Sequence, residues 1–162
     1  ISDGGASEEG GGGNLSVRGL PLIKPPYGRI SAVNLNTGEI AWQIAHGETP
    51  DAIRNHPDLK GLTIPRTGRP GGAGGSSGAI GTLVTKTLVI SGEGGTVRMP
   101  DGSRGAMLRA YDKATGAELG AVPMPGAQTG SPMTYMLDGK QYLVVANSSS
   151  IKAGELTAYR LP

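Results

Sequence analysis

Two histidines, a scatter of loop carboxylates and three arginines in one glycine-rich stretch are the residues whose chemistry could serve a site in this chain. His46 and His56 stand ten apart, with no cysteine in the chain and no carboxylate at ligand spacing, so they make a poor metal pair and suit loop packing better. Glu48, Asp51, Asp58 and Asp101 fall in loops without the Asp-x-Asp-x-Asp-Gly ladder of a calcium loop. Ser76, Ser77 and Ser148 to Ser150 lack a Gly-x-Ser-x-Gly setting or a nearby base, which removes the hydrolase reading. The glycine run at 71–78 does not sit between a strand and a helix, so nucleotide binding has no support. Arg54, Arg66 and Arg69 could each donate two parallel hydrogen bonds to a carboxylate ligand; the alternative is that they are solvated loop charges. Gly92-Glu93-Gly94-Gly95 could bring backbone close to a flat ligand, or could be a turn at a strand end. No catalytic residue and no metal ligand is assigned within the chain.

The composition says what kind of scaffold must position these groups. Twenty-nine Gly and 12 Pro in 162 residues approach low complexity, yet only 17% of residues are charged and the apolar ones cluster in short β-branched runs. That balance fits an all-β protein with many tight turns. The formal charge of +2 is spread without a Lys/Arg run or aromatic interleaving, which argues against a nucleic-acid partner. No apolar run approaches the ~20 residues of a membrane helix. The start, Ile1-Ser2-Asp3-Gly4-Gly5, carries no signal-like segment, and processing or truncation is the expected reason.

Residues 1–26 read as a Gly/Pro-rich linker with at most one short strand near Asn14 to Val17, and 27–162 as the structured domain. Ile30 to Leu35 and Glu39 to Ile44 pair across Asn36-Thr37-Gly38. From His46 to Gly78 the pattern breaks, with room for one helical turn between Asp51 and Leu59, limited by Pro57. Strands return at Ile80–Thr85, Thr87–Ser91, Ala106–Asp112, Ala117–Val122, Pro132–Leu137, Lys140–Ala146 and Glu155–Leu161.

These strands repeat. Ile30-Ser31-Ala32-Val33-Asn34 followed by Thr37-Gly38 matches Leu108-Arg109-Ala110-Tyr111-Asp112 followed by Thr115-Gly116, and Leu156-Thr157-Ala158-Tyr159 echoes it again. The later pair lies roughly 50 residues apart, the period of a four-stranded propeller blade; the earlier interval is longer by the glycine-rich loop. The expected fold is therefore an all-β partial β-propeller. Tyr27–Ile44 supplies the outer two strands of one blade, 79–122 a complete second blade, and 130–161 three strands of a third. The last strand, near Leu156–Leu161, should offer an edge to another copy, a companion chain or the amino-terminal segment.

The segment Ala32-Val33-Asn34-Leu35-Asn36-Thr37-Gly38-Glu39-Ile40-Ala41-Trp42 resembles the tryptophan-docking repeat of quinoprotein dehydrogenases, enzymes dependent on pyrroloquinoline quinone (PQQ). Pro25-Pro26-Tyr27-Gly28-Arg29-Ile30 is similar to the family's lead into this blade. Gly130-Ser131-Pro132-Met133-Thr134-Tyr135, with Asp138-Gly139-Lys140-Gln141-Tyr142-Leu143-Val144-Val145-Ala146, is similar to its closing hairpin. Gly154 to Pro162 resembles its last strand. The second repeat ends at Gly120 where Trp is expected. The resemblance implies an eight-bladed propeller carrying PQQ and Ca²⁺ at its axis. Such a protein oxidises a sugar or alcohol and passes electrons to a quinone or cytochrome in the periplasm. It also implies that the catalytic Asp and the calcium ligands lie in earlier blades, outside this chain. Arg66 and Arg69 would face the cofactor's carboxylates. Gly78, or a neighbour, stands where the family often has an Asn near PQQ. Thr134 lies on a strand expected to face the axial channel. The expected partners are the remaining blades, or a companion chain that supplies them. The rival reading is a non-catalytic propeller scaffold that keeps the docking repeats and has no quinone.

Overall fold

Strand-length runs of alternating side chains, punctuated by glycines at positive φ, set the architecture. The computed structural model describes residues 15–69, 80–149 and 152–161. In chain order the strands are β1 (Ser16–Val17), β2 (Leu20–Pro21), β3 (Arg29–Val33), β4 (Ile40–Ala45), β5 (Leu83–Val84), β6 (Leu88–Gly92), β7 (Val97–Arg98), β8 (Arg104–Asp112), β9 (Glu118–Met124), β10 (Ala127–Gln128), β11 (Met133–Leu137), β12 (Lys140–Ser149) and β13 (Lys152–Arg160). One helical turn, α1 (Asp51–Arg54), and a 3-10 turn at Pro57–Leu59 interrupt the connection after β4.

All pairings are antiparallel, and they sort into blades. The first blade is the β3–β4 hairpin. The second runs β5-β6-β8-β9, with β7 continuing the β6 edge against β8. In the third, β10 and β11 lie along one edge of β12 and β13 along the other. The fold is thus a partial β-propeller of about two and a half blades, as the repeat predicts. Among the described residues, β13 pairs only with β12.

Strands β7 and β10, two residues each, were not expected. They are too short to leave an alternating pattern and exist only because a long neighbour offers ladder partners. The segment after residue 14 also differs from expectation, forming a two-strand hairpin where one strand at most was expected. Arg18 (φ 52) and Gly19 (φ 86) both take positive φ there, the requirement of a tight type I′ connection. Arg-Gly is not the usual signature of that turn, which hid it. The Asp138-Gly139 turn (φ 49 and 72) uses the same geometry with the usual residues and was legible.

The two blade interfaces are built differently. Between blades two and three lies the apolar core: Ile90, Ala106, Leu108 and Met124 meet Leu143 and Val145. Gln128 stitches the same interface, accepting from the Gly92 N–H at 2.6 Å and donating to the Gly81 carbonyl at 2.7 Å. Between blades one and two, Trp42 of β4 crosses to the β8–β9 turn. Its indole N–H donates to the Lys113 carbonyl at 2.9 Å. Its ring covers Gly116, where a Cβ would lie 2.8 Å from the indole Cε3. This is the docking contact that the repeat implies.

Gly120 registers with Ala110 as Trp42 registers with Ala32, and nothing lies within 4 Å of where its side chain would begin. The contact that a Trp there would make is replaced from the other side. Tyr159 of β13 reaches back and donates its hydroxyl to the Pro123 carbonyl at 3.0 Å.

Trp42→Ala should cost about 2–3 kcal/mol, below the ~3–5 of a fully buried aromatic because the indole is only partly covered. Gly116→Ala should destabilise as well, since position 116 combines φ +75 with the indole contact. Urea titrations followed by far-ultraviolet circular dichroism test both. A Trp42 emission maximum at the water-exposed limit in the native chain would contradict the dock.

Candidate functional site

Antiparallel order places the turns at residues 34–39, 85–87, 113–117 and 138–139 at one end of the blade strands. The described parts of the long connections, 46–69 and 93–103, open at the other end. Chemically capable side chains gather where these two connections meet the face of the second blade that looks toward the first.

Arg109 is the centre. It sits mid-strand in β8 and is 3% exposed. Its Nε donates to Glu93 Oε1 at 2.9 Å, one terminal nitrogen donates to Glu118 Oε1 at 2.9 Å, and the other to Glu48 Oε1. Arg66 also pairs with Glu118, and approaches Glu48 at 3.5 Å; Arg54 reaches Glu48 Oε2 at 3.2 Å. Three guanidinium groups therefore answer three carboxylates. Burial pushes the Glu93 carboxyl up from its ordinary range, opposed by the Arg109 charge. Burial is the largest influence on Arg109 and works against its charge, but Glu93, Glu118 and Glu48 together outweigh it and hold the guanidinium protonated.

His46 closes the same interface. Its Nε2 lies 2.8 Å from the Gly92 carbonyl, which can only accept, so Nε2 carries the proton. Nδ1 is then the acceptor for the Tyr111 hydroxyl at 2.9 Å. Burial lowers the His46 pKa below 6.5, with Arg109 and Arg66 adding to the effect, while the Gly92 hydrogen bond opposes it. Burial raises the Tyr111 phenol to about 12. Both groups are neutral around pH 7 and serve as a hydrogen-bonded strut.

Above this floor opens a cleft of about 310 Å³, lined among others by Tyr27, Glu48, Arg69, Ser91, Glu93 and Gly95. Arg69 lies against the Gly95 backbone, where a Cβ would come 2.3 Å from its Nε. The Gly92–Gly95 segment is thus a strand end that also admits a guanidinium at close range. His56 takes no part. Its Nδ1 accepts from the Asp58 N–H at 3.2 Å and its Nε2 donates to the Arg18 carbonyl at 2.9 Å, tying the first hairpin to the 3-10 turn.

A family model described as the β-propeller domain of PQQ glucose, ethanol and alcohol dehydrogenases matches residues 7–143. The chain belongs to this PQQ-dependent dehydrogenase family. It is 35% identical to a probable quinate dehydrogenase (quinone) of Xanthomonas campestris pv. juglandis, over 91% of this chain and 17% of that protein. It is 31% identical to quinoprotein glucose dehydrogenase A of Acinetobacter calcoaceticus and 31% identical to the quinoprotein glucose dehydrogenase of Escherichia coli K12, each over 91% of this chain. The chain spans about a sixth of these relatives, 17% of each.

A cofactor that carries carboxylates, as PQQ does, calls for cations or amide donors in the site that holds it. Of the residues expected at the cofactor, Arg66 has its charge taken up by Glu48 and Glu118. Arg69 lines the cleft, and no carboxylate lies within ion-pair distance of it among the described residues. Gly78 lies outside the described residues. Thr134 sits on β11, donating to the Tyr142 carbonyl at 2.8 Å and accepting from Gln141 at 3.0 Å, and it is not brought to this cleft. The described residues hold no group of three His, Asp or Glu side chains able to bind a metal, whereas Arg69 suits an acidic ligand.

In the sequence Arg109 and Tyr111 have a place only in the repeat, Glu48 only as a loop carboxylate and Glu93 only in a backbone segment, and Glu118 is passed over. A charge flanked by Leu108 and Ala110 inside a strand was the one available signal. Its partners are spread from 48 to 118, so spacing could not group them.

Arg109→Met should cost about 3–5 kcal/mol, because Glu93 is left buried without its counter-charge. Adding Glu93→Leu should recover part of that loss in a double-mutant cycle by urea denaturation. His46 has a depressed folded-state pKa, so its stabilising contribution is present above pH 6.5 and lost as pH falls below 6.5 toward the folded value. His46→Gln should accordingly flatten the wild-type loss of stability on the acid side of pH 6.5; parallel pH profiles would contradict the assignment.

Proposed function

We propose that this chain is the carboxy-terminal part of a PQQ-dependent dehydrogenase that oxidises a glucose-like sugar or another alcohol and passes electrons to a quinone or cytochrome in the periplasm. The observation that supports it most is the gathering of the long connections at one end of docked blades, around a cleft containing Arg69. In this reading the chain completes the propeller and walls the cofactor channel. Relatives named for glucose and for quinate point to polyhydroxylated substrates.

Bound PQQ would supply the electron sink at its quinone, with calcium beside it held by groups outside this chain. Arg69 would donate to a cofactor carboxylate. Arg66, held by Glu48 and Glu118, would fix the loop that carries Arg69. Thr134, on β11 and away from the Arg69 cleft, would line a separate stretch of the channel in this proposal. Arg109 touches neither cofactor nor substrate and acts as a positioning residue, through Glu48 and Glu93 on the cleft lining. The scaffold alternative draws its support from Arg54 and Arg66, whose charges are spent inside the fold rather than on a ligand.

The test uses the protein that joins this chain to its remaining blades, loaded with PQQ and Ca²⁺. It should reduce an artificial dye with at least one aldose or polyol, and Arg69→Gln should raise the PQQ concentration for half-activation about tenfold, the loss of one charge-assisted pair. The 162-residue chain alone should show no turnover under the same conditions. Full PQQ binding without turnover on any alcohol would overturn the enzymatic reading, and no PQQ binding at all would leave the scaffold.

A further inference from the structure

A second cleft, of about 450 Å³, lies between the β1–β2 hairpin, α1 and the β7–β8 hairpin. Its floor is apolar, with Pro21, Pro50, Ala52 and the buried Ile53. Its rim is cationic. Arg69 and Arg104 both direct a terminal nitrogen to one acceptor, the Thr96 carbonyl, at 3.4 and 3.1 Å. A single neutral carbonyl cannot compensate two guanidinium charges. Asp51 answers one of them, pairing with Arg104 at 3.4 Å while it also accepts the Arg98 N–H at 3.2 Å. The glutamates of the neighbouring cleft are engaged by Arg109, Arg66 and Arg54. One unit of positive charge is therefore unanswered among the described residues, at the mouth of an apolar cavity of ligand size.

We infer that Arg69 and Arg104 form a carboxylate clamp, and that this cleft takes an organic acid with a compact ring, its carboxylate on the two guanidinium groups and its ring against Pro21, Pro50 and Ile53. Two planar forks converging on one point match a carboxylate's two oxygens better than a point charge. Gly95 makes the convergence possible, since a side chain there would displace Arg69. The clamp stands whether or not the chain meets PQQ. The carboxylate has two possible sources, the cofactor's own acid groups or a separate ring acid such as a substrate or effector.

Calorimetric titration of the full chain separates these cases. Cyclohexanecarboxylate should bind saturably in the millimolar range, and its uncharged carboxamide should not. Arg69→Gln and Arg104→Gln should each weaken binding at least about tenfold, while Lys24→Gln on the exposed linker leaves it unchanged. Trp42 emission reports that each variant keeps the native fold. Displacement of the probe by PQQ would assign the clamp to the cofactor, and binding of the probe undisturbed by PQQ would assign it to a separate acid. Equal affinity in Arg69→Gln, equal affinity for the carboxamide, or no saturable binding by a chain with native Trp42 emission would each overturn the proposal.

Discussion

A guanidinium group taken out of water inside a β-sheet persists only where carboxylates meet it from several directions, and Arg109 imposes that demand on this structure. Its three acceptors come from the connection after β4, the end of β6 and the start of β9. Satisfying one side chain therefore draws the first blade's long connection onto the second blade and holds it there. Glu48 also pairs with Arg54 and Arg66 of its own connection, and Arg66 reaches Glu118, so the loop is braced internally and tied to the second blade at two points. An apolar residue at 109 could pack as tightly but would not specify which loop must lie over it.

The contrast between the two blade interfaces follows. The second and third blades meet chiefly through Ile90, Leu108, Leu143 and Val145, a contact driven by apolar burial to which Gln128 adds hydrogen bonds. The first and second meet through directional bonds: the Trp42 indole to Lys113, the His46 ring between Gly92 and Tyr111, and the Arg109 fork. Directional contacts define relative position more tightly than apolar ones. The directional interface is also the one that carries the cleft. Where the docking indole is absent, at Gly120, the apolar interface tolerates its loss and the Tyr159 hydroxyl supplies a single substitute bond.

The two clefts share Arg69 and Pro50, so the connection after β4 serves both. Its neighbour Arg66 is held by carboxylates and locates the segment, while Arg69 faces open space. Adjacent arginines of the same chemical type thus divide into one that builds and one that is available. Their roles depend on which acidic partners lie within reach.

Much of the fold was legible because its determinants are local. Alternation marked the β3–β4, β8–β9 and β11–β12 hairpins, glycine or Asp-Gly placed their turns, and the Ala-apolar-Asn/Asp followed by Thr-Gly repeat with Trp42 identified a blade and the family. The Arg18-Gly19 turn and the short strands β7 and β10 escaped, since their conformations depend on neighbours rather than on their own residues. Of the cleft lining, the sequence singled out Glu48, Arg69 and the Gly92–Gly95 segment one at a time and could not group them. Sequence by itself determined the strands, the turns and the dock, because each is a preference expressed within a dozen residues. The tertiary structure alone decided that Arg109 gathers Glu48, Glu93 and Glu118, that Arg66 is consumed while Arg69 is not, and that Arg104 stands beside it. Electrostatic pairing acts through space, and only the folded chain sets those distances.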